Sequence, residues 1–485
     1  MTIGRSARMC LGVLVVLLGA CASVSAQTND EVFPNLQWNF STPGARANAM
    51  GRAFIGSADD ATATISNPAG LVSLTKPQVY FEYKNTNLKV DRLSAVNSFT
   101  TLQPTTFATD INSLSFFTIS APIGKRLAVG LTRHQFLNYQ ETFNLAARAI
   151  PGDPFNSAFN PVAGSADFKG AEYGLTVSAS LTDQLSAGIT LGLDTLSANS
   201  TASRFGIVFG PTYPFSDAPA SSGNLNDLSA SPIIKNQTTI NKSQTASSIG
   251  FGLLYKPSEK LSIGFDFVQG PKFSVPEDLS VNPGSNGGCT ATTSCGTAQP
   301  LTEFPSPAGF PAFPMTIHIN VPNRFGVGVA ARPFDRWLFA LDLVRVQYSS
   351  LATGFTPIFD YFDTVNGVNK TALTGSEFSI PDVTEMHMGA EYNLVTGDKP
   401  IFVRAGLFTN PDHRVAFNGF ANAALPATDV ASISANMDAA YNKLPRTSDT
   451  RGTIGAGIVL GPRMQFDLSY VFGQEFIAST AFRFK

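Results

Sequence analysis

Charged residues, cysteines and long apolar runs are all scarce in this chain. Lysine, arginine, aspartate and glutamate make up only 14% of its 485 residues, against about 25% in average soluble domains. The formal net charge is -2, so the charge balance points neither to nucleic acid nor to a polybasic membrane patch. The most apolar stretch, Leu11 to Ala20, is too short to cross a bilayer as a helix. We therefore expect neither a nucleic-acid partner nor a bundle of membrane-spanning helices.

Residues 1–26 have the layout of a secretory signal peptide. Arg5 and Arg8 precede the apolar run, and small residues ending in Val24-Ser25-Ala26 follow it, which predicts cleavage before Gln27. An alternative stays open, because the stretch that ends at Cys21 resembles a lipoprotein cleavage box in which this cysteine would carry lipid. Either reading predicts export.

Cleavage would remove two of the four cysteines and leave Cys289 and Cys295 in the loop-like stretch NGGCTATTSCGTAQ. An exported compartment favours a local disulfide between them. A metal site is the weaker interpretation, because no second cysteine pair or histidine cluster accompanies them. The sequence GVGVAA at Gly326 has no helix after it, so we interpret it as a strand and not as a nucleotide motif. We expect no enzyme, no cofactor and no metal.

One sequence unit, a short turn followed by an alternating strand, occurs six times. The copies begin at Pro122, Leu181, Lys256, Arg332, Thr396 and Gly461. In the second copy Leu185, Ile189 and Leu193 share one face, whereas Ser186 and Asp194 lie on the other. Apolar-out, polar-in strands with a period of two predict a transmembrane barrel, because a soluble sandwich would bury its aliphatic face and put more charge on the other. Four aspartates at matching positions should line the lumen: Asp194, Asp266, Asp342 and Asp467.

The connections between these strands alternate in length. Long irregular stretches are predicted at about 87–111, 136–169, 197–245, 269–322, 348–382 and 410–450. Short turns at one end and long loops at the other are typical of outer-membrane barrels. With residues 78–84 and 476–484 added to six hairpins, the predicted fold is an all-β, closed antiparallel transmembrane barrel of about 14 strands. Closure itself satisfies the backbone hydrogen bonds.

The segment MGRAFIGSADDATATISNPAGL, Met50 to Leu71, precedes the first strand and looks like neither strand nor membrane helix. Three glycines permit tight turns in it: Gly51, Gly56 and Gly70. Asn67-Pro68 imposes an extended or turn geometry, and we expect Asp59 and Asp60 to pair with Arg46 and Arg52. This composition predicts a hatch folded inside the lumen, with a hatch domain over residues 27–76 and a barrel over 77–485.

This segment resembles the hatch signature of the FadL-type long-chain fatty-acid transporters of Gram-negative outer membranes, which include hydrocarbon-uptake relatives of the TodX type. The matching positions are Gly51, Arg52, Ala53, Phe54, Ala58, Asp59, Asp60, Ala61, Asn67, Pro68 and Ala69. The resemblance implies capture of an apolar ligand by outer loops and its release sideways through a gap in the wall. It also implies passive uptake, outer-membrane lipid around the barrel, and the barrel-assembly machinery as a partner during biogenesis.

Two other functions remain open at this point. PorV-type barrels of the type IX secretion system also have a glycine-rich, Asn-Pro-containing N-terminus, and they act as secretion accessories. A porin for polar solutes is a third interpretation, which the hatch disfavours.

The loop from Pro300 to Pro322 is unusually apolar for an outer loop. Phe304, Phe310, Phe313 and Met315 would be exposed there, which a merely solvated loop does not require. These side chains either form a landing site for an apolar ligand or pack on neighbouring loops, and the sequence favours neither.

We predict that the mature chain begins at Gln27 and carries no lipid. Mass spectrometry of the protein purified from membranes checks this directly. An acylated N-terminus at Cys21 would contradict it.

Overall fold

The computed structural model describes residues 24–25, 40, 42–96, 98–146, 148–152, 158–159, 161–205, 234–281, 299–300, 315–354, 359–363, 368–371, 377–394, 399–421, 426–444, 446 and 448–484. The chain forms a closed antiparallel barrel of 14 strands. This confirms the predicted fold class and strand number. Among the described residues, no helix has the length and apolar character needed to cross a membrane.

The barrel strands follow one another around the wall in chain order. They are β1 (Gln78–Val96), β2 (Ser98–Ile123), β3 (Leu127–Leu145), β4 (Val162–Ser180), β5 (Leu185–Phe205), β6 (Ile234–Ser258), β7a (Leu261–Gln269), β7b (Lys272–Val281), β8a (Met315–Asn320), β8b (Arg324–Ala331), β9 (Trp337–Val346), β10 (Val383–Leu394), β11 (Ile401–Asn410), β12 (Asp449–Leu460), β13 (Met464–Val471) and β14 (Glu475–Arg483). The seventh and eighth strands are each interrupted once, and pairing of β14 with β1 closes the barrel.

The other elements lie inside the barrel or at its ends. The helices are α1 (Ala45–Ala49), α2 (Ala63–Ser66), α3 (Ser349–Gly354) and α4 (Ala427–Tyr441), with 3-10 turns at Pro68–Ser73 and Gly461–Arg463. Short strand pieces occupy Val24–Ser25, Arg148–Ala149, Ala158–Phe159, Gln299–Pro300, Phe359–Asp363, Val368–Thr371, Phe378–Ser379 and Ala416–Phe417.

The two faces of the strands have the predicted chemistry. Leu131 and Leu193 are exposed on the outer wall, at 61% and 57%. All four aspartates of the repeated positions are buried in the interior. The alternation in the sequence therefore identifies which face meets lipid.

Two of the predicted long loops are largely strand. β1 and β2 run for 19 and 26 residues, so the stretch at 87–111 is a paired hairpin arm. β3 and β4 likewise extend through most of 136–169. A spanning strand needs only about 9–11 residues, so these strands continue past the bilayer, where serine, threonine and asparagine hide the apolar alternation used to find them. The end that carries these extensions is called the loop end below, and the opposite one the turn end.

Residues 42–75, here called the lumenal segment, lie inside the barrel. Wall glycines meet its backbone on opposite sides, since a Cβ on Gly188 of β5 would come closer than 3.0 Å to Pro68. A Cβ on Gly389 of β10 would likewise come closer than 3.0 Å to Met50. Only glycine lets the two backbones approach in this way. The segment is therefore fitted closely to the inner wall.

We predict that Gly188→Ala destabilises the protein by about 1–3 kcal/mol, the usual cost of overpacking. The added Cβ would overlap the backbone of Pro68. Urea unfolding, followed by electrophoretic mobility, measures the change. Gly250→Ala on β6 is the matched control, because its nearest heavy atom would be 3.5 Å away; an equal loss in both variants would contradict the close fit.

Candidate functional site

Asn67 clamps the lumenal segment to itself and to the wall. Its Nδ2 donates to the carbonyl oxygens of Ile55 and of Leu253 on β6, both at 3.0 Å. Its Oδ1 accepts a hydrogen bond of 3.2 Å from the amide of Ala69. The 3-10 turn starts at the next residue, Pro68, which lacks an amide proton and fits the first helical position. Asn67-Pro68 therefore sets a turn, as predicted, and also fixes its place on the wall.

Asp342 on β9 anchors the same segment three strands further round the wall. Its Oδ2 accepts hydrogen bonds from the amides of Phe54 at 2.6 Å and Ile55 at 2.8 Å. Thr453 on β12 accepts from the amide of Gly51 at 3.1 Å and donates to the carbonyl of Ala49 at 3.0 Å. These bonds satisfy backbone groups that water does not reach. Only the inward position of Asp342, and not this role, was evident from the sequence.

A chain of alternating charges joins the segment to the wall. Arg46 contacts Asp59 at 2.5 Å and Glu391 of β10 at 3.0 Å. Glu391 also accepts from Arg404 of β11 at 2.6 Å, and Arg404 contacts Asp467 of β13 at 2.7 Å. The predicted pairing of Arg46 with Asp59 is confirmed. Removing one partner would leave a buried charge uncompensated, which typically costs about 3–5 kcal/mol.

The predicted pairing of Arg52 with Asp59 or Asp60 is wrong. Arg52 instead lies 3.4 Å from Glu475 of β14, and its guanidinium sits 4.0 Å above the ring of Phe408. The cause is the backbone, because Gly51 and Arg52 are both left-handed, with φ of 61° and 68°. This conformation is uncommon for a residue with a Cβ, and it turns the side chain away from the aspartates.

Polar side chains form a belt on the loop-end side of the lumenal segment. His134 of β3, Glu172 of β4 and Asp194 of β5 are register partners on adjacent strands. Nearer the turn end, Thr190 of β5 donates to the carbonyl of Thr64 at 3.0 Å. Nearer the loop end, the inward face of β5 becomes mostly apolar, with Leu196, Ala198 and Ala202 buried and Ser200 between them. The three side chains, called the polar belt below, separate the lumenal segment from an apolar interior.

The loop-end half of the barrel has this apolar interior where a polar lumen was predicted. Strands β1 to β8 contribute to one buried group, here called the apolar cluster. Its members are Leu88, Val90, Ile111, Phe136, Leu137, Tyr139, Phe143, Leu145, Val162, Ala166, Phe168, Leu196, Ala198, Ala202, Ile240, Phe273, Val275, Ile319 and Val321. Sequence reasoning missed them because all but Leu196 fall in stretches assigned to irregular loops. The period-two run of Leu137, Tyr139, Phe143 and Leu145 was the available signal.

The wall opens between β2 and β3 beside this cluster. Their ladder runs from Ile123 paired with Leu127 to Phe116 paired with His134 and goes no further, although both strands are described beyond that point. Each continues with its other neighbour alone, β2 with β1 and β3 with β4. The β3–β4 register shifts between Gln135 and Leu137, a bulge that bends the strand where the ladder stops.

A buried ion pair spans the open stretch. Arg92 of β1 donates to Glu141 of β3 through both Nε and Nη2, each at 2.6 Å. The hydroxyl of Tyr139 also donates to Glu141, and the guanidinium lies 4.0 Å above the ring of Phe143. The β1–β2 arm is thereby attached to β3 by side chains where the backbone ladder is absent.

Several predicted residues lie outside the described residues. These are residues 1–23 and 26 of the signal peptide, Cys289, Cys295, Phe304, Phe310 and Phe313. Met315 begins β8a, and its side chain is likewise outside them. Among the residues that the structure describes, no group of three or more histidine, cysteine or acidic side chains is arranged to hold a metal ion.

Known proteins share this architecture. The sequence pattern of the family described as outer membrane protein transport protein (OMPP1/FadL/TodX) matches residues 39–447. A Pseudomonas aeruginosa FadL homologue has a TM-score of 0.57 at 13% identity, over 93% of this chain and 99% of that one. The P. putida toluene transporter TodX has a TM-score of 0.54 at 13% identity, over 92% of this chain and 99% of that one.

The Ralstonia pickettii toluene transporter TbuX gives a TM-score of 0.53 at 12% identity, over 92% of this chain and 100% of that one. At these identities the solved structures establish the fold alone. No curated protein matches the chain in sequence.

We predict that Asn67→Ala loosens the lumenal segment and lets small ions leak through the barrel. The change leaves buried backbone groups unsatisfied, at about 1–3 kcal/mol for each group. Conductance in planar bilayers measures the leak. Asn85→Ala, which removes an exposed amide hydrogen bond on β1, should conduct like the unmodified protein. Unchanged conductance in Asn67→Ala would contradict the clamp.

Proposed function

Because this chain belongs to the OMPP1/FadL/TodX family of outer-membrane transport proteins, we propose that it is a passive channel for hydrophobic small molecules in the outer membrane of a Gram-negative bacterium. The ligand enters at the loop end, reaches the apolar cluster and leaves sideways through the opening between β2 and β3. The observation that carries this proposal is the position of that opening, directly beside the apolar cluster. On this account the protein is a channel and not an enzyme.

The lumenal segment acts as the hatch in this proposal. Residues 1–26 are the signal peptide, 27–76 the hatch domain and 77–485 the barrel. Movement of a ligand past the hatch would break the bonds of Asn67, Asp342 and Thr453, at about 1–3 kcal/mol for each buried group left unpaired. A sideways exit breaks none of them.

The apolar cluster supplies the affinity for such a ligand. Each buried methylene group contributes about 0.8 kcal/mol, so an alkyl chain gains more here than in the polar belt. The resemblance of the hatch signature suggests long-chain fatty acids. Two of the solved neighbours, TodX and TbuX, are toluene transporters. Fatty acids and toluene are both hydrophobic, so a hydrophobic ligand is what the hatch signature and the structural neighbours both support. Membrane lipid around the wall and the assembly machinery are the proposed partners.

We predict that a covalent link across the opening blocks uptake. Asp110 on β2 and Gln140 on β3 lie beyond the last ladder pair. The test variant carries Asp110→Cys and Gln140→Cys, and its Cys289 and Cys295 are replaced by serine. A bis-maleimide linker should then abolish most uptake of labelled oleate and labelled toluene by whole cells, because the exit cannot widen.

The matched control is the pair Asn199→Cys and Asn241→Cys, which are register partners in the unbroken β5–β6 ladder. Linking them should leave uptake unchanged. Full uptake through the linked opening would overturn the sideways route.

We also predict that deletion of residues 45–70 leaves a barrel that inserts but conducts small polar solutes. The deletion removes the segment that fills the lumen. Conductance in planar bilayers checks this against the intact protein, which should conduct little. An unchanged conductance would contradict the assignment of a hatch.

A further inference from the structure

Lys242 and Ser200 share one inward patch at the loop end of the barrel. In the β5–β6 ladder Lys242 lies opposite Ala198, and Ser200 lies opposite Ile240. Residues opposite one another project to the same face, and Ala198 and Ile240 belong to the apolar cluster. Lys242 and Ser200 are therefore diagonal neighbours on the inner wall, about 7 Å apart along that diagonal.

Both side chains lack a partner in the part of the chain that the structure describes. Ser200 is only 5% exposed, and its Oγ has no hydrogen-bond partner. Lys242 is half-buried and makes no ion pair or hydrogen bond. A buried hydroxyl without a partner carries a free-energy penalty, and a cation beside apolar side chains favours an anion. Together they offer an ammonium and a hydroxyl to an acceptor that the described residues do not supply.

Arg92 shows the contrast within the same half of the barrel. Its guanidinium is held by both carboxylate oxygens of Glu141, so an incoming anion would have to displace a buried acid. Lys84 likewise lies near Glu475 and Glu82. Lys242 has no such counter-ion among the described residues.

We propose that Lys242 and Ser200 bind the carboxylate head group of a long-chain amphiphile whose tail lies in the apolar cluster. A carboxylate accepts from both groups at once, since it has two oxygens and several lone pairs. Small side chains flank the patch, with Ala166 of β4 opposite Ser200 and Ala198 opposite Lys242, and leave space for the head group. The site rests on the proposed function, and it selects a fatty acid over a neutral compound of equal length.

Calorimetry on the full chain in lipid nanodiscs tests the site with oleate and methyl oleate, which share a tail and differ in the head-group charge. Lys242→Gln should weaken oleate binding about tenfold or more, the usual scale for a hydrogen bond to a charged group. Binding of methyl oleate should stay unchanged. Ser200→Ala should weaken oleate binding about threefold to tenfold.

Two variants serve as controls. Lys242→Arg keeps the cation and should retain most of the preference for oleate. Lys272→Gln removes an exposed lysine from β7b and should change neither ligand. Equal losses for oleate and its ester in Lys242→Gln, or no loss of oleate binding, would overturn the site.

The outcomes for the unmodified protein distinguish the two proposals. If it binds methyl oleate as tightly as oleate, the channel proposal survives and the carboxylate site falls. If it binds neither compound, the proposed function itself fails, and the site falls with it.

Discussion

The hydrogen-bond requirement of a backbone in lipid determines where this wall is able to open. Every N–H and C=O facing hydrocarbon must be paired, so a ladder may stop only where the wall leaves the apolar layer. The β2–β3 ladder ends at Phe116 and His134. The neighbouring outward side chains Leu114 and Leu131 are apolar and exposed, whereas Asn112 and Gln140 lie beyond them. The opening therefore begins at the edge of the lipid-facing band, which is where the proposed sideways route would reach the membrane.

Inside the barrel, polarity changes along the axis from the turn end to the loop end. Asn67 and Asp342 tie the lumenal segment to the wall near the turn end. The polar belt follows, and the apolar cluster occupies the loop-end half. An alkyl chain gains contact energy only in the cluster. Advancing toward the turn end would exchange those contacts for the polar belt and then for the hydrogen-bonded lumenal segment, which is why we propose that release is sideways.

Sequence patterns predicted the barrel more fully than its interior. The six repeated turn-and-strand units and two flanking strands predicted 14 strands, and the outward residues Leu185, Ile189 and Leu193 indicated which face meets lipid. The apolar cluster was not predicted because β2 and β3 continue into water, where no outward apolar residue marks a strand. The pairing of Arg52 with Glu475 depends on a left-handed φ that residue type does not reveal. The opening is a property of register between strands, which the composition of one strand cannot show.

The attachment of the β1–β2 arm differs in kind from the rest of the wall. A backbone ladder fixes strand spacing through many hydrogen bonds of one geometry, whereas Arg92 and Glu141 join β1 to β3 through two long side chains. Such a pair holds its position when buried, since separating the charges is costly, and it joins β1 to β3 without a backbone hydrogen bond between them. Beside the opening the arm is therefore held to β3 by side chains around Phe143, whereas below it β2 and β3 are joined by a backbone ladder.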